Sequence, residues 1–96
     1  MQVAEVKTRI IALSDRLSQL GVESLSLFGS AARGEATPDS DLDFLVDFRE
    51  QATFARYMDL KELLEENFGR PIDLVTKKAL KPLMREQVLR EAIRVA

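Results

Sequence analysis

Two short stretches decide the reading of this chain: Leu25-Ser26-Leu27-Phe28-Gly29-Ser30 and, after ten further residues, Asp41-Leu42-Asp43-Phe44-Leu45-Val46. A Gly-Ser turn directly after an apolar run offers backbone N–H groups and a hydroxyl to a phosphate. Two carboxylates at spacing two, opening a second apolar run, point the same way on a strand and suit hard cations. A phosphate cradle followed by metal-binding carboxylates is the equipment of phosphoryl or nucleotidyl transfer.

Working outward, the chain alternates helices with short strands. Val3, Val6, Ile10, Leu13, Leu17 and Leu20 recur in steps of three and four, which predicts one helical face ended by Gly21. Val22 to Phe28 predicts a strand, although Val22, Leu25 and Leu27 do not keep one register. Residues 30–35 predict a helical turn, and residues 35–40, with Pro38, a loop. Leu42, Phe44, Val46 and Phe48 alternate with Asp43, Leu45 and Asp47 as a second strand. Thr53 is placed to cap a helix with Phe54, Tyr57, Met58, Leu64 and Phe68 inward, and Gly69 ends it. Pro71-Ile72-Asp73-Leu74-Val75 is a third strand. A last helix is expected from about Leu80 or Pro82, with Leu83, Met84, Val88, Ala92 and Val95 inward.

Strand three adds a third acid. Ile72 and Leu74 want the core, so Asp73 faces the other way; if strand three pairs beside strand two, Asp73 joins Asp41 and Asp43. Asp47 shares their face but lies about 13 Å beyond Asp43, too far for the same ion. Three carboxylates on one patch repel unless cations neutralise them. The chain has neither His nor Cys. That excludes a Ser-His-Asp triad, disulfides and the usual zinc sites, and it directs any metal toward oxygen ligands, hence magnesium or manganese.

Length and composition bound the rest. At 96 residues the expectation is a single domain spanning 1–96. A hydrophobic share of 46% supports a core, and 31% charged residues argue against disorder. No apolar run approaches the ~20 residues needed to span a bilayer, and the first eleven residues are unlike a secretory signal, so a cytoplasmic protein is expected. A net charge of −2 argues against general nucleic-acid binding. Taken singly, each motif has an ordinary reading: a turn at Gly29-Ser30, a solvated Arg33, a local cap at Ser40, a strand-edge Asp-x-Asp. Lys77 and Lys78 read as solvated, although their place after Asp73 would also suit phosphates. Jointly, the cradle, the spacing and the third acid follow strands in the order a transferase needs.

The run Leu27-Phe28-Gly29-Ser30-Ala31-Ala32-Arg33-Gly34, followed by Ser40-Asp41-Leu42-Asp43-Phe44-Leu45-Val46, resembles the minimal nucleotidyltransferase (MNT) family of the DNA polymerase beta superfamily. The resemblance extends through the leading helix, Pro71-Ile72-Asp73-Leu74-Val75 and the closing Leu80-Lys81-Pro82 helix. It implies an α/β (α+β) fold, a small mixed sheet with helices mainly on one face. It implies that Gly29 and Ser30 contact a nucleoside triphosphate. It further implies that Asp41 and Asp43 bind two Mg2+ (or Mn2+) ions, that Asp73 completes the catalytic and metal-binding triad, and that Arg33 supports phosphate or the loop. Ser40, next to the carboxylates, is grouped with the nucleotide-binding residues.

Proteins resembling this one are often antitoxins paired with a HEPN-type toxin. The first expectation is therefore transfer of AMP from ATP to a hydroxyl of such a toxin, with tyrosine as the acceptor, in an assembly with the partner. The others are a non-catalytic binding module of the same fold and a transferase for a small molecule or an RNA end. So short a chain has room for a nucleotide site but not for a deep acceptor pocket as well.

Overall fold

In the computed structural model, which describes residues 1–96, the alternation from Leu42 onward becomes a strand at the middle of a four-stranded sheet. The elements run α1 (Val3–Ile11), α2 (Ser14–Gln19), β1 (Val22–Phe28), α3 (Gly29–Ala32), β2 (Leu42–Phe48), α4 (Phe54–Phe68), β3 (Ile72–Thr76), a 3-10 turn (Lys77–Ala79), α5 (Pro82–Glu91) and β4 (Ile93–Arg94). Sheet order is β3-β2-β1-β4. β1 pairs antiparallel with β2 and with β4, while β2 and β3 pair in parallel, so the sheet is mixed. A parallel pair needs a crossover, and α4 supplies it.

Two apolar layers follow from the pleat. Leu42, Phe44 and Val46 of β2 face one side with Leu25, Leu27, Ile72 and Leu74, against Val6 and Ile10 of α1, Leu17 of α2, and Leu60, Leu64 and Phe68 of α4. Phe44 and Phe68 pack with ring centroids 5.7 Å apart. The opposite face is thinly covered: Leu45 packs with Leu80 and Val88 beneath α5, flanked by Phe28 and Val75. The helices therefore lie mainly on one face, as expected.

The irregular register of β1 has a cause. Val22 pairs with Phe48 but Ser24 with Asp47, so a bulge at Glu23 shifts the alternation by one. α4 starts where Thr53 accepts from the Arg56 amide at 3.2 Å. It stops at Gly69, whose φ of 65° is left-handed. Tyr57 of α4 donates its hydroxyl proton to the Leu74 carbonyl, tying the crossover helix to edge strand β3.

Three expectations about elements need correction. The single leading helix is two, α1 and α2, broken at Ala12–Leu13, although Val6, Ile10 and Leu17 stay buried. The last helix stops at Glu91, and Val95 is buried beyond it, because residues 93–96 zip onto β1: Val95 N donates to Leu25 O at 2.9 Å. Leu83 and Met84 are exposed at 98% and 54%, as is Phe54 at 79%, since no element lies opposite those faces. No helix is long and apolar enough to cross a membrane.

Candidate active site

Register brings the sequence motifs together. In the antiparallel β1–β2 pair, Phe28 stands opposite Asp43, so the turn after Phe28 lands beside the acidic strand. In the parallel β2–β3 pair, Asp43 stands beside Asp73. Asp43 points away from the main core because Leu42 and Phe44 are fully buried on the other side. Asp41 lies one residue before β2, exposed, at the end of the 33–41 loop.

Gly29 fits this arrangement for a specific reason. Its φ is +70°, a left-handed conformation that side-chain-bearing residues seldom adopt. A Cβ placed on it would stand 2.2 Å from Asp43 Oδ2 and 3.1 Å from Asp43 Cγ. The Asp43 carboxylate thus lies directly against the turn read as a phosphate cradle. Ser30 follows in α3, its carbonyl accepting from Glu35 N at 2.8 Å.

The charges at this point are crowded. Burial, first, and then the neighbouring Asp73, through charge and a hydrogen bond, raise the Asp43 carboxyl from its ordinary 3.8 to about 6. Asp41 pushes the same way and Arg33 pulls back. A surplus of negative charge on one patch is what divalent cations relieve. The donors are carboxylate oxygens, which suit magnesium or manganese. As the side chains stand, no three acids enclose a common point at ligand spacing, so reorientation would accompany ion binding.

The remaining residues singled out in the sequence have nearer partners. Arg33 donates through Nε to Glu35 at 3.0 Å and through Nη1 to Glu91, at the end of α5, at 3.3 Å. The hydrogen bond to Glu35 is the chief cause that raises its pKa. Ser40 Oγ accepts from Thr37 N at 3.0 Å and bonds Thr37 Oγ1 at 2.9 Å, closing a local turn. Sequence reasoning missed Arg70, whose Nη1 reaches the carbonyls of Thr37 and Ser40 across 30 or more residues. Its place two residues before Ile72-Asp73 was the available signal. Asp47 lies at the other end of β2, where it lines a cleft of about 130 Å³ with Phe48, Gln51, Thr76, Lys77 and Lys78. That cleft is lined by none of Gly29, Asp41, Asp43 or Asp73, so it is separate from the acidic cluster.

Comparison with known proteins agrees with this geometry. Residues 10–95 match the family described as nucleotidyltransferase domain. The protein adenylyltransferase MntA of Thermococcus cleftensis is 38% identical over 96 residues, covering 99% of this chain and 97% of the relative. A solved structure provisionally named a minimal nucleotidyltransferase superposes with a TM-score of 0.84 at 43% identity, covering 97% of this chain and 95% of that one. A chain in the solved complex of a tri-AMPylated Shewanella oneidensis HEPN toxin with an MNT antitoxin gives a TM-score of 0.67 at 20% identity, covering 94% and 68%. At that identity the likeness is one of fold.

Proposed function

This chain belongs to the nucleotidyltransferase domain family, and on that premise we propose that it transfers AMP from ATP to a hydroxyl of a HEPN-type toxin, with tyrosine as the acceptor, and thereby acts as an antitoxin. The observation that carries the reading is the contact of the Asp43 carboxylate with Gly29, with Asp73 beside it. Acids and turn standing side by side support reading them as one reaction centre. Support for a protein acceptor comes from the name of the Thermococcus relative, a protein adenylyltransferase, and from the AMPylated HEPN toxin of the Shewanella complex. Residues 1–96 act in this reading as one domain.

The chemistry divides among the residues. The acceptor oxygen attacks the α-phosphorus of ATP, a new P–O bond forms, the bond to the bridging oxygen breaks, and pyrophosphate leaves. Gly29 and Ser30 hold the phosphates by backbone N–H and hydroxyl, so that the α-phosphorus lies in line with the acceptor. Arg33 serves the same phosphates once its pairs with Glu35 and Glu91 yield, and Ser40 serves the nucleotide by shaping the loop before Asp41. Asp73, on the exposed edge strand, takes the acceptor proton. Asp41, Asp43 and Asp73 would hold two magnesium or manganese ions, which supply charge neutralisation and an acidified hydroxyl. In this reading the toxin is a ribonuclease, as the family resemblance implies, and AMP on its surface adds an anion whose like charge repels RNA phosphates.

The test is mass spectrometry of the purified toxin after incubation with this protein, ATP and magnesium. A gain of AMP on a tyrosine is expected, and Asp73→Asn should keep the complex yet abolish transfer. Full neutralisation of the toxin by Asp73→Asn would replace this reading with inhibition by docking. Labelled ATP that marks RNA or a small molecule, and no protein, would replace it with the third expectation.

A further inference from the structure

The three acids are not equally secured. Asp43 and Asp73 are held by strand pairing on the backbone and by buried neighbours on either side. Asp41 is exposed and precedes β2, so its direction depends on the loop that delivers it. The Thr37–Ser40 turn at the end of that loop has two side-chain ties. Ser40 closes the Thr37–Ser40 turn from within, at 3.0 and 2.9 Å. Arg70 holds it from outside: Nη1 donates to Thr37 O at 3.3 Å and to Ser40 O at 3.4 Å.

The second of these carbonyls belongs to the peptide plane that joins Ser40 to Asp41. Fixing that plane restricts the direction in which Asp41 leaves the loop. Arg70 is itself well anchored. It follows Gly69, the left-handed stop of α4, and precedes Pro71, whose ring fixes φ and whose carbonyl accepts from Leu42 N at 3.2 Å. The chain on both sides of Asp41 is thus tied to residues 70–71. Arg70 forms none of the ion pairs of this protein, and the cation that acts on Asp43 is Arg33. Arg70 therefore works through carbonyls rather than through charge on the acids.

We infer that Arg70 is a positioning residue for Asp41: it clamps the Thr37–Ser40 turn so that the Asp41 carboxylate stands ready beside Asp43 and Asp73 for the nucleotide and its cation. The inference rests on the proposed role of Asp41 as a carboxylate of the nucleotide site.

Two measurements on the whole chain test it. The first is amide hydrogen exchange of the ligand-free protein. Arg70→Ala should speed exchange at Ser40, whose N–H donates to Thr37 O, and at Leu42, whose N–H donates to Pro71 O, by about fivefold, the scale of one lost hydrogen bond. The second is calorimetry with manganese and a non-hydrolysable ATP analogue. Arg70→Ala should raise Kd by about fivefold, Arg70→Lys should recover part of that, and Ser40→Ala combined with Arg70→Ala should cost less than the product of the two single effects, because both act on one turn. Unchanged exchange in Arg70→Ala overturns the clamp. Faster exchange with unchanged Kd overturns the link to Asp41. A wild-type protein that binds no nucleotide while its loop exchange responds to Arg70→Ala would sink the proposed function and leave the clamp as a purely structural one. If Arg70→Ala fails to fold, Arg70→Lys and Ser40→Ala carry the same comparisons.

Discussion

Replacing Gly29 by alanine should reveal the carboxylate that lies against it. The substitution meets two separate obstacles. The first is the backbone, because φ of +70° costs a residue with a Cβ about 1–2 kcal/mol. The second is Asp43, whose Oδ2 stands 2.2 Å from the new carbon. A contact that short cannot persist, so the carboxylate must turn away. Leaving its preferred rotamer costs about 0.5–1.5 kcal/mol. Gly29→Ala in the wild-type background should therefore lose about 1.5–3.5 kcal/mol. In Asp43→Ala only the backbone obstacle remains, so Gly29→Ala there should lose about 1–2 kcal/mol, a coupling of about 1 kcal/mol. Urea unfolding of the four proteins at pH 7 measures this directly. For a chain of this length, 1 kcal/mol is also about 4–8 °C in melting temperature. Equal losses in the two backgrounds would refute the contact, and Gly29 would then matter for its φ alone.

The Asp43 carboxyl has a folded-state pKa of about 6 against an ordinary 3.8, so the folded chain holds the proton more tightly between those values. The associated stability is full below about pH 4 and is lost as pH rises through about 6. That difference corresponds to about 3 kcal/mol, and solvent contact of the half-buried group trims it to about 1–2 kcal/mol. Asp43→Asn should consequently melt higher than wild type at pH 7 and converge with it near pH 4; parallel pH profiles would contradict this. Tyr57→Phe removes the donor to the Leu74 carbonyl and should cost about 1 kcal/mol in urea unfolding, while an unchanged midpoint would mean that water replaces the hydroxyl without loss.

Much of the site was legible because its signals are local. The spacing from Gly29-Ser30 to Asp41-Leu42-Asp43, the alternation of Leu42, Phe44 and Val46, and Ile72 and Leu74 around Asp73 each depend on neighbours in sequence. Thr53 and Gly69 marked the ends of α4 for the same reason. What was missed depends on distant partners. The bulge at Glu23 is defined only by pairing with β2, and the strand at Ile93–Arg94 exists only because β1 offers it a free edge. Leu83, Met84 and Phe54 keep apolar spacing yet face no second layer, which periodicity cannot reveal. The same holds at the site. Nothing near Arg33 announces Glu91, and nothing near Ser40 announces Arg70, since each partner arrives from an element at least 30 residues away. Likewise, nothing near Gly29 announces that its immediate neighbour in the folded chain is the Asp43 carboxylate.

The parallel pairing of Asp43 with Asp73 carries a kinetic consequence. These residues are distant along the chain and meet only after α4 has formed and crossed over, so the acid pair belongs to the slow, non-local part of folding. The approach of two like charges opposes that step, and the alternation of Ile72 and Leu74 drives it, because slipping β3 by one residue would bury Asp73 and expose both apolar residues. Choosing the register of β3 and bringing the two acids together are thus one event. Refolding should accelerate when either acid is neutralised, and the chain has no paired acids until the crossover closes.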